Sequence, residues 1–172
     1  MDILEKIYGT LFAPAPTFEY LRTHMPLGEA ALILLTVNFF EGWRQAGELS
    51  IGTIALQVSV GTVGWLVLSG IIKLMAVALD RPVSYQAILS LSAFGGLPWL
   101  LIGPAQAAGG VAGSVLTVIA VLWFVFLEVW AIAVALGIDW WRSLLFVPLA
   151  FVGSLVAGIW VGNGLLTFLS LG

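Results

Sequence analysis

The stretch LGEAALILLTVNFFEGW, Leu27–Trp43, decides the fold, because it sets how many times the chain crosses a bilayer. A spanning helix needs about 20 mostly apolar residues. Here Glu29, Asn38 and Glu41 leave Ala30–Val37 as the longest clean run, so hydropathy alone makes the segment interfacial or re-entrant. The rest of the chain carries no such ambiguity. Ile51–Leu79, Ser84–Gly103, Val111–Gly137 and Ser143–Leu171 are each long and apolar enough to cross.

The basic residues break the tie, because Lys and Arg accumulate in short cytoplasmic loops. If Leu27–Trp43 spans, Lys6, Arg22, Arg81 and Arg142 fall on one side, Lys73 lies nearer that side, and only Arg44 falls opposite. If it does not span, Lys6, Arg22 and Arg44 face Arg81 and Arg142 across the membrane, and the asymmetry vanishes. The expected architecture is therefore all-α: a polytopic membrane bundle of five transmembrane helices, about 27–43, 51–79, 84–103, 111–137 and 143–171. The N-terminus is expected in the cytoplasm and the C-terminus outside. Trp43, Trp140 and Trp141 then fall at the interfaces, where amphipathic rings concentrate.

Composition agrees. The 172 residues are 61% hydrophobic and 9% charged, with a mean hydropathy of +1.12, against roughly 25% charged residues in soluble domains. No polar stretch is long enough to fold apart from the bilayer, so residues 27–172 read as one membrane domain. The formal charge of −3 and the scattered basic residues exclude a nucleic-acid partner. The absence of Cys excludes disulfides, thiolate chemistry and Cys-based metal sites.

Residues 1–26 read as an amphipathic, interfacial N-terminal segment. Asp2 and Glu5 stand where a signal peptide would be basic, so no cleavable signal is expected. Ile3, Leu4, Ile7, Tyr8, Leu11 and Phe12 share one helical face opposite Asp2, Glu5 and Lys6. A second short helix is predicted to start at Pro16, which suits a first helical position, and to run through Phe18, Tyr20 and Leu21 toward Pro26. The two helices lie on the membrane surface or pack on the bundle.

Within the spans, charge marks candidate sites. Lys73 lies six residues before Leu79 and Glu128 nine before Gly137, depths of about 9 and 14 Å at the helical rise. A charge near the bilayer centre costs at least about 2.5–3.5 kcal/mol, and a Lys73–Glu128 pair would lower that cost. In that case Glu128→Gln destabilises the protein; otherwise Lys73 reaches back to the interface and Glu128 finds a polar partner. Asn38 and Glu41 share a face of the first span, and Arg44 continues that line, either as a stripe pointing into the bundle or as a Glu41–Arg44 surface pair.

Ser154, Gly158 and Gly162 recur every four residues, a ridge that suits close packing within the bundle or self-association. Gly95, Gly96 and Pro98 interrupt the third span. MAVALD from Met75 matches IAVALG from Ile132, and Ala93, Phe94 and Gly96 then align with Ala150, Phe151 and Gly153. Two parallel hairpins of this kind occur in transporters, although such residues are common enough in membrane helices for chance to produce the match. His24, alone and beside Pro26, reads as solvated. There is no second His, nucleophile elbow, phosphate-binding Gly loop or carboxylate cluster, so the chain reads as a non-enzyme without cofactor or metal.

The order of these features resembles a known family. FAPAPTFEYL (Phe12–Leu21), LDRPVSYQAILSLSAFGGLPWLL (Leu79–Leu101) and LWFVFLEVWAIAVALGIDWWRSLLFVPLAFV (Leu122–Val152) are similar to the Ypt-interacting protein, or Yip, domain family across nearly the whole chain. Its loose motifs fall on Pro16, Phe18, Ser84, Tyr85, Pro98, Trp123 and Ser143. The resemblance implies five spans and a cytoplasmic N-terminus. In eukaryotic relatives it implies binding of prenylated Rab-type GTPases, vesicle trafficking and membrane shaping. This chain has only about 26 residues before its first span instead of a long cytoplasmic segment, which argues against small-GTPase binding and for a prokaryotic plasma (inner) membrane. The expected function is a non-catalytic scaffold that organises lipid or holds membrane proteins, with the bilayer, membrane-protein partners or a second copy as what it binds. The alternative is a small transporter or channel subunit with a buried Lys73/Glu128 site.

Overall fold

The computed structural model describes residues 1–46 and 50–145, with Pro148 and Val152. Among them the regular structure is helical: α1 (Ile3–Phe12), α2 (Pro14–His24), α3 (Leu27–Ala46), α4 (Ile51–Ala78), α5 (Tyr85–Gly95), a 3-10 segment (Leu97–Leu101), α6 (Ile102–Ala107) and α7 (Gly110–Leu136). Local chemistry sets the boundaries. Asp2 and Glu5 form a reciprocal cap at the start of α1, Glu5 N donating to Asp2 Oδ1 at 2.8 Å and Asp2 N to Glu5 Oε2 at 3.0 Å. Pro26 disfavours helical geometry in the residue before it, and Met25 closes α2 with φ 43°. Pro82 likewise precedes Ser84, whose hydroxyl caps α5.

The helices run back and forth. A Cβ at Gly42 would meet Ile54 and Gln57, and one at Gly61 would overlap the Asn38 amide, so α3 and α4 form an antiparallel hairpin. Trp65 Nε1 donates to Ser92 Oγ at 2.9 Å, which sets the register of α4 against α5. Glu128 on α7 lies against Gly95, and Gly113 against Ala105, so α7 returns along α5 and α6. Every residue from Ala87 to Gly95 is buried, which makes α5 the centre of the bundle. Phe18 and Leu21, both fully buried, seat α2 on α5 and α7.

Among the described residues three helical stretches, fewer than the five expected spans, are long and apolar enough to cross a membrane: Ile51–Ala78, Tyr85–Ala107 and Gly110–Leu136. The third predicted span thus extends past Gly103. The break at Gly95, Gly96 and Pro98 is taken up as a 3-10 segment, and Pro104 falls in the first turn of α6, where its missing N–H costs nothing. α3 is 20 residues long but carries Glu29, Glu41 and Arg44. It nevertheless runs the length of the bundle. Its first turn meets α1 through Lys6, whose Nζ lies 2.7 Å from both Glu29 oxygens. Its last turn meets the far end of α6, Arg44 Nη1 donating to Gln106 Oε1 at 3.0 Å.

Two expectations for the N-terminus change. α2 starts at Pro14, not Pro16, because a single residue, Ala13, suffices to break the chain after α1. The apolar face of α1 also divides. Lys6, Gly9 and Thr10 are buried against the bundle with Ile7 and Leu11 packed beside them, while Leu4, Tyr8 and Phe12 stand 72%, 66% and 70% exposed. The Lys6–Glu29 pair, invisible to a reading of α1 alone, turns the helix. The fifth predicted span, with Ser154, Gly158 and Gly162, lies outside the described residues.

Candidate functional site

One face of each of three helices converges on a cavity of about 440 Å3. From α3 come Leu34, Asn38, Glu41 and Gln45; from α4, Gln57, Gly61, Trp65 and Leu68; from α7, Phe124 and Glu128. Each set steps by three or four residues, the spacing of one helical face. Ser92 of α5 and Trp99 of the 3-10 segment close the wall. The break at Gly95–Pro98 therefore has a local consequence. It brings Trp99 round to Glu41, to which its Nε1 donates at 3.2 Å, and its ring packs edge-on against Phe124 with centroids 5.2 Å apart.

The polar groups differ in how completely they are satisfied. Asn38 is 9% exposed and donates from Nδ2 to the Leu34 carbonyl at 2.9 Å, fitting its amide where Gly61 has no side chain. Glu41 is saturated: Arg44 donates at 2.9 Å from Nε and 2.5 Å from Nη2, Gln45 at 2.7 Å, and Trp99 as above. Glu128 is 8% exposed and has no hydrogen-bonding or charged partner among the described residues. Its Oε1 would stand 2.9 Å from a Cβ at Gly95, so the carboxylate lies over the one stretch of α5 that offers only backbone.

Of the four intramembrane candidates read from sequence, the structure gathers Asn38, Glu41 and Glu128 around this cavity and leaves Lys73 outside it. Lys73 donates to the Val83 carbonyl in the α4–α5 connection. Val83 precedes α5 and Gly95 ends it, an 11-residue helix, so Lys73 and Glu128 sit at levels roughly 16 Å apart at 1.5 Å per residue. The Lys73–Glu128 pair is not formed. Similar distances from two helix ends gave a false match, because the side chain of Lys73 extends toward its own end of the bundle. The Glu41–Arg44 pair is formed, with Glu41 turned to the cavity and Arg44 one-third exposed.

The remaining positions hold structure together. Phe18 and Pro98 are fully buried, as is Ser143, which donates to the Trp140 carbonyl at 2.9 Å. Ser84 caps α5, and Tyr85 Oη donates to the Leu66 carbonyl at 2.8 Å. Trp123 stacks on Phe126, Pro16 is exposed, and His24 is exposed and stacks on Tyr20. Among the described residues no group of three or more His, Cys, Asp or Glu is placed to hold a metal. Sequence reasoning missed Gln57, Trp65, Ser92 and Trp99. The signal was present in Gln57, Gly61 and Trp65, a polar, small and aromatic series at helical spacing on an otherwise apolar span.

Comparison with curated proteins and with solved structures returns no match. The sequence model of the Yip1 domain matches residues 8–168, from the middle of α1 to four residues before the C-terminal Gly172. The match takes in α2 to α7 and the whole wall of the cavity, and the chain belongs to the Yip1 domain family.

Proposed function

We propose that this Yip1-domain protein is a non-catalytic, five-span scaffold of the prokaryotic inner membrane that organises the bilayer around it. The outward stripe of α1 carries the reading. Leu4, Tyr8 and Phe12 point away from the bundle while the Lys6–Glu29 pair and the seat of α2 hold the helix rigidly to it. Such a helix, fixed at the edge of a membrane domain, inserts shallowly among the headgroups and spreads them on one side only.

Five spans are supported by the ends of α3. A 20-residue helix is about 30 Å long, the thickness of the hydrocarbon core. Its charges are compensated at both ends, Glu29 by Lys6 and Glu41 by Arg44. Arg81 reaches the Gly137 carbonyl and shares a surface recess with Glu19 and Arg142, at the end where α3 starts. Arg44 lies at the other, which supports a cytoplasmic N-terminus. The fifth span and the external C-terminus rest on the sequence, as does self-association through Ser154, Gly158 and Gly162.

Reconstituted vesicles test the reading. The triple variant L4S/Y8S/F12S should insert and melt like the parent but leave vesicle diameter unchanged at protein loadings where the parent narrows the vesicles. Equal narrowing by both would refute the wedge. The alternative, a small transporter or channel subunit, is favoured by one observation, the polar cavity beside Glu128. Because the chain has no Cys, a single Ser92→Cys probes it. A scaffold leaves that thiol open to a membrane-impermeant reagent from one side at most, and labelling from both sides would favour transport.

A further inference from the structure

We propose that the cavity between α3, α4, α5 and α7 binds an organic monocation, its positive charge held at Glu128 and its apolar body against Trp65, Trp99 and Phe124. This goes beyond the scaffold role and does not depend on it. The count of partners fixes the sign and number of charges. Two carboxylates border the cavity, and Glu41 is fully engaged by Arg44, Gln45 and Trp99. Glu128 faces the same space, more than nine-tenths buried, with no donor to its carboxylate among the described residues. A buried carboxylate left in that condition is costly. Lys73 does not relieve it, being bonded to Val83. One positive charge from a ligand does.

The wall selects the class of cation. A volume of about 440 Å3 lies within the roughly 300–1,000 Å3 of small-molecule sites. A divalent metal takes about six to eight oxygen ligands, and this cavity offers one free carboxylate. Aromatic and aliphatic side chains make up most of the remaining surface, and aromatic rings attract desolvated organic cations. An ammonium group can arrive on a free amphipathic amine or on the ethanolamine headgroup of a phospholipid. Both present the same chemistry to Glu128.

The test uses the full chain in dodecyl maltoside with tetraphenylphosphonium as the probe, titrated by calorimetry. One saturable site is expected, weakened at least tenfold in Glu128→Gln and within twofold of the parent in Lys73→Met. A measurement on the unmodified chain guards against misfolding of the variant. Dicyclohexylcarbodiimide should modify Glu128, and the probe should slow that modification at least fivefold without protecting the exposed Glu5. Adding phosphatidylethanolamine separates the sources: displacement of the probe identifies the lipid headgroup, and no displacement identifies a free cation. Absence of saturable binding, equal affinity in Glu128→Gln, unprotected labelling, or equal displacement by phosphatidylglycerol would overturn the proposal.

Discussion

The two ends of α3 and the wall of α7 handle carboxylates in opposite ways. At its first turn Glu29 accepts two hydrogen bonds from Lys6, which is only 7% exposed, and at its last Glu41 accepts from three side chains. Glu128, which lines the same cavity as Glu41, accepts from none among the described residues. The difference teaches what a charge in a membrane helix is for. Where a partner is built in, the charge fixes the helix ends; where none is built in, the group is left, on our proposal, to a ligand.

Breaking the paired end should have the largest effect. Glu29→Gln leaves the Lys6 ammonium buried without a counter-charge. Orphaning one member of a buried pair costs about 3–5 kcal/mol, and because Glu29 is one-third exposed the lower end, about 3 kcal/mol, is expected. In a detergent melt this is a loss of about 6–12 °C, accompanied by release of α1 to proteolysis. A smaller effect is expected beside the cavity. Gly61→Ala places a methyl group on the Asn38 amide, and overpacking of this size costs about 1–2 kcal/mol. Asn38→Ala in the same chain should recover most of that loss, since it removes the group that the methyl meets.

How much of this could be read from residues alone follows from the range of the interactions. The spans of α4 and α7 were legible to within a residue, because helices of 28 and 27 mostly apolar residues leave no other reading. The crossing of α3 rests on the distribution of Lys and Arg, a property of the whole chain; by length and hydropathy α3 is not among the helices apolar enough to cross. Asn38, Glu41 and Glu128 stood out as polar groups in apolar helices, and the cavity gathers all three. Of the two readings of Lys73, the pair with Glu128 fails and the reach back toward its own helix end holds, because depth along a helix says nothing about which way a long side chain extends. The Lys6–Glu29 pair joins residues 23 apart across a helix boundary. No periodicity within α1 could reveal it, so the buried and exposed faces of that helix were partly exchanged.

The smallest expected change is the most informative. A Lys73–Glu128 pair, or any built-in partner for Glu128, makes Glu128→Gln destabilising. An unpartnered carboxylate in a cavity makes it neutral or mildly stabilising, by up to about 1–2 kcal/mol, since the substitution removes an uncompensated group without stranding another. The deciding measurement is the melting temperature of Glu128→Gln beside Glu29→Gln in one detergent without added ligand. The structure predicts that the first melts at or above the parent and the second well below it; a drop in the first as large as in the second would contradict the division between structural and vacant charges.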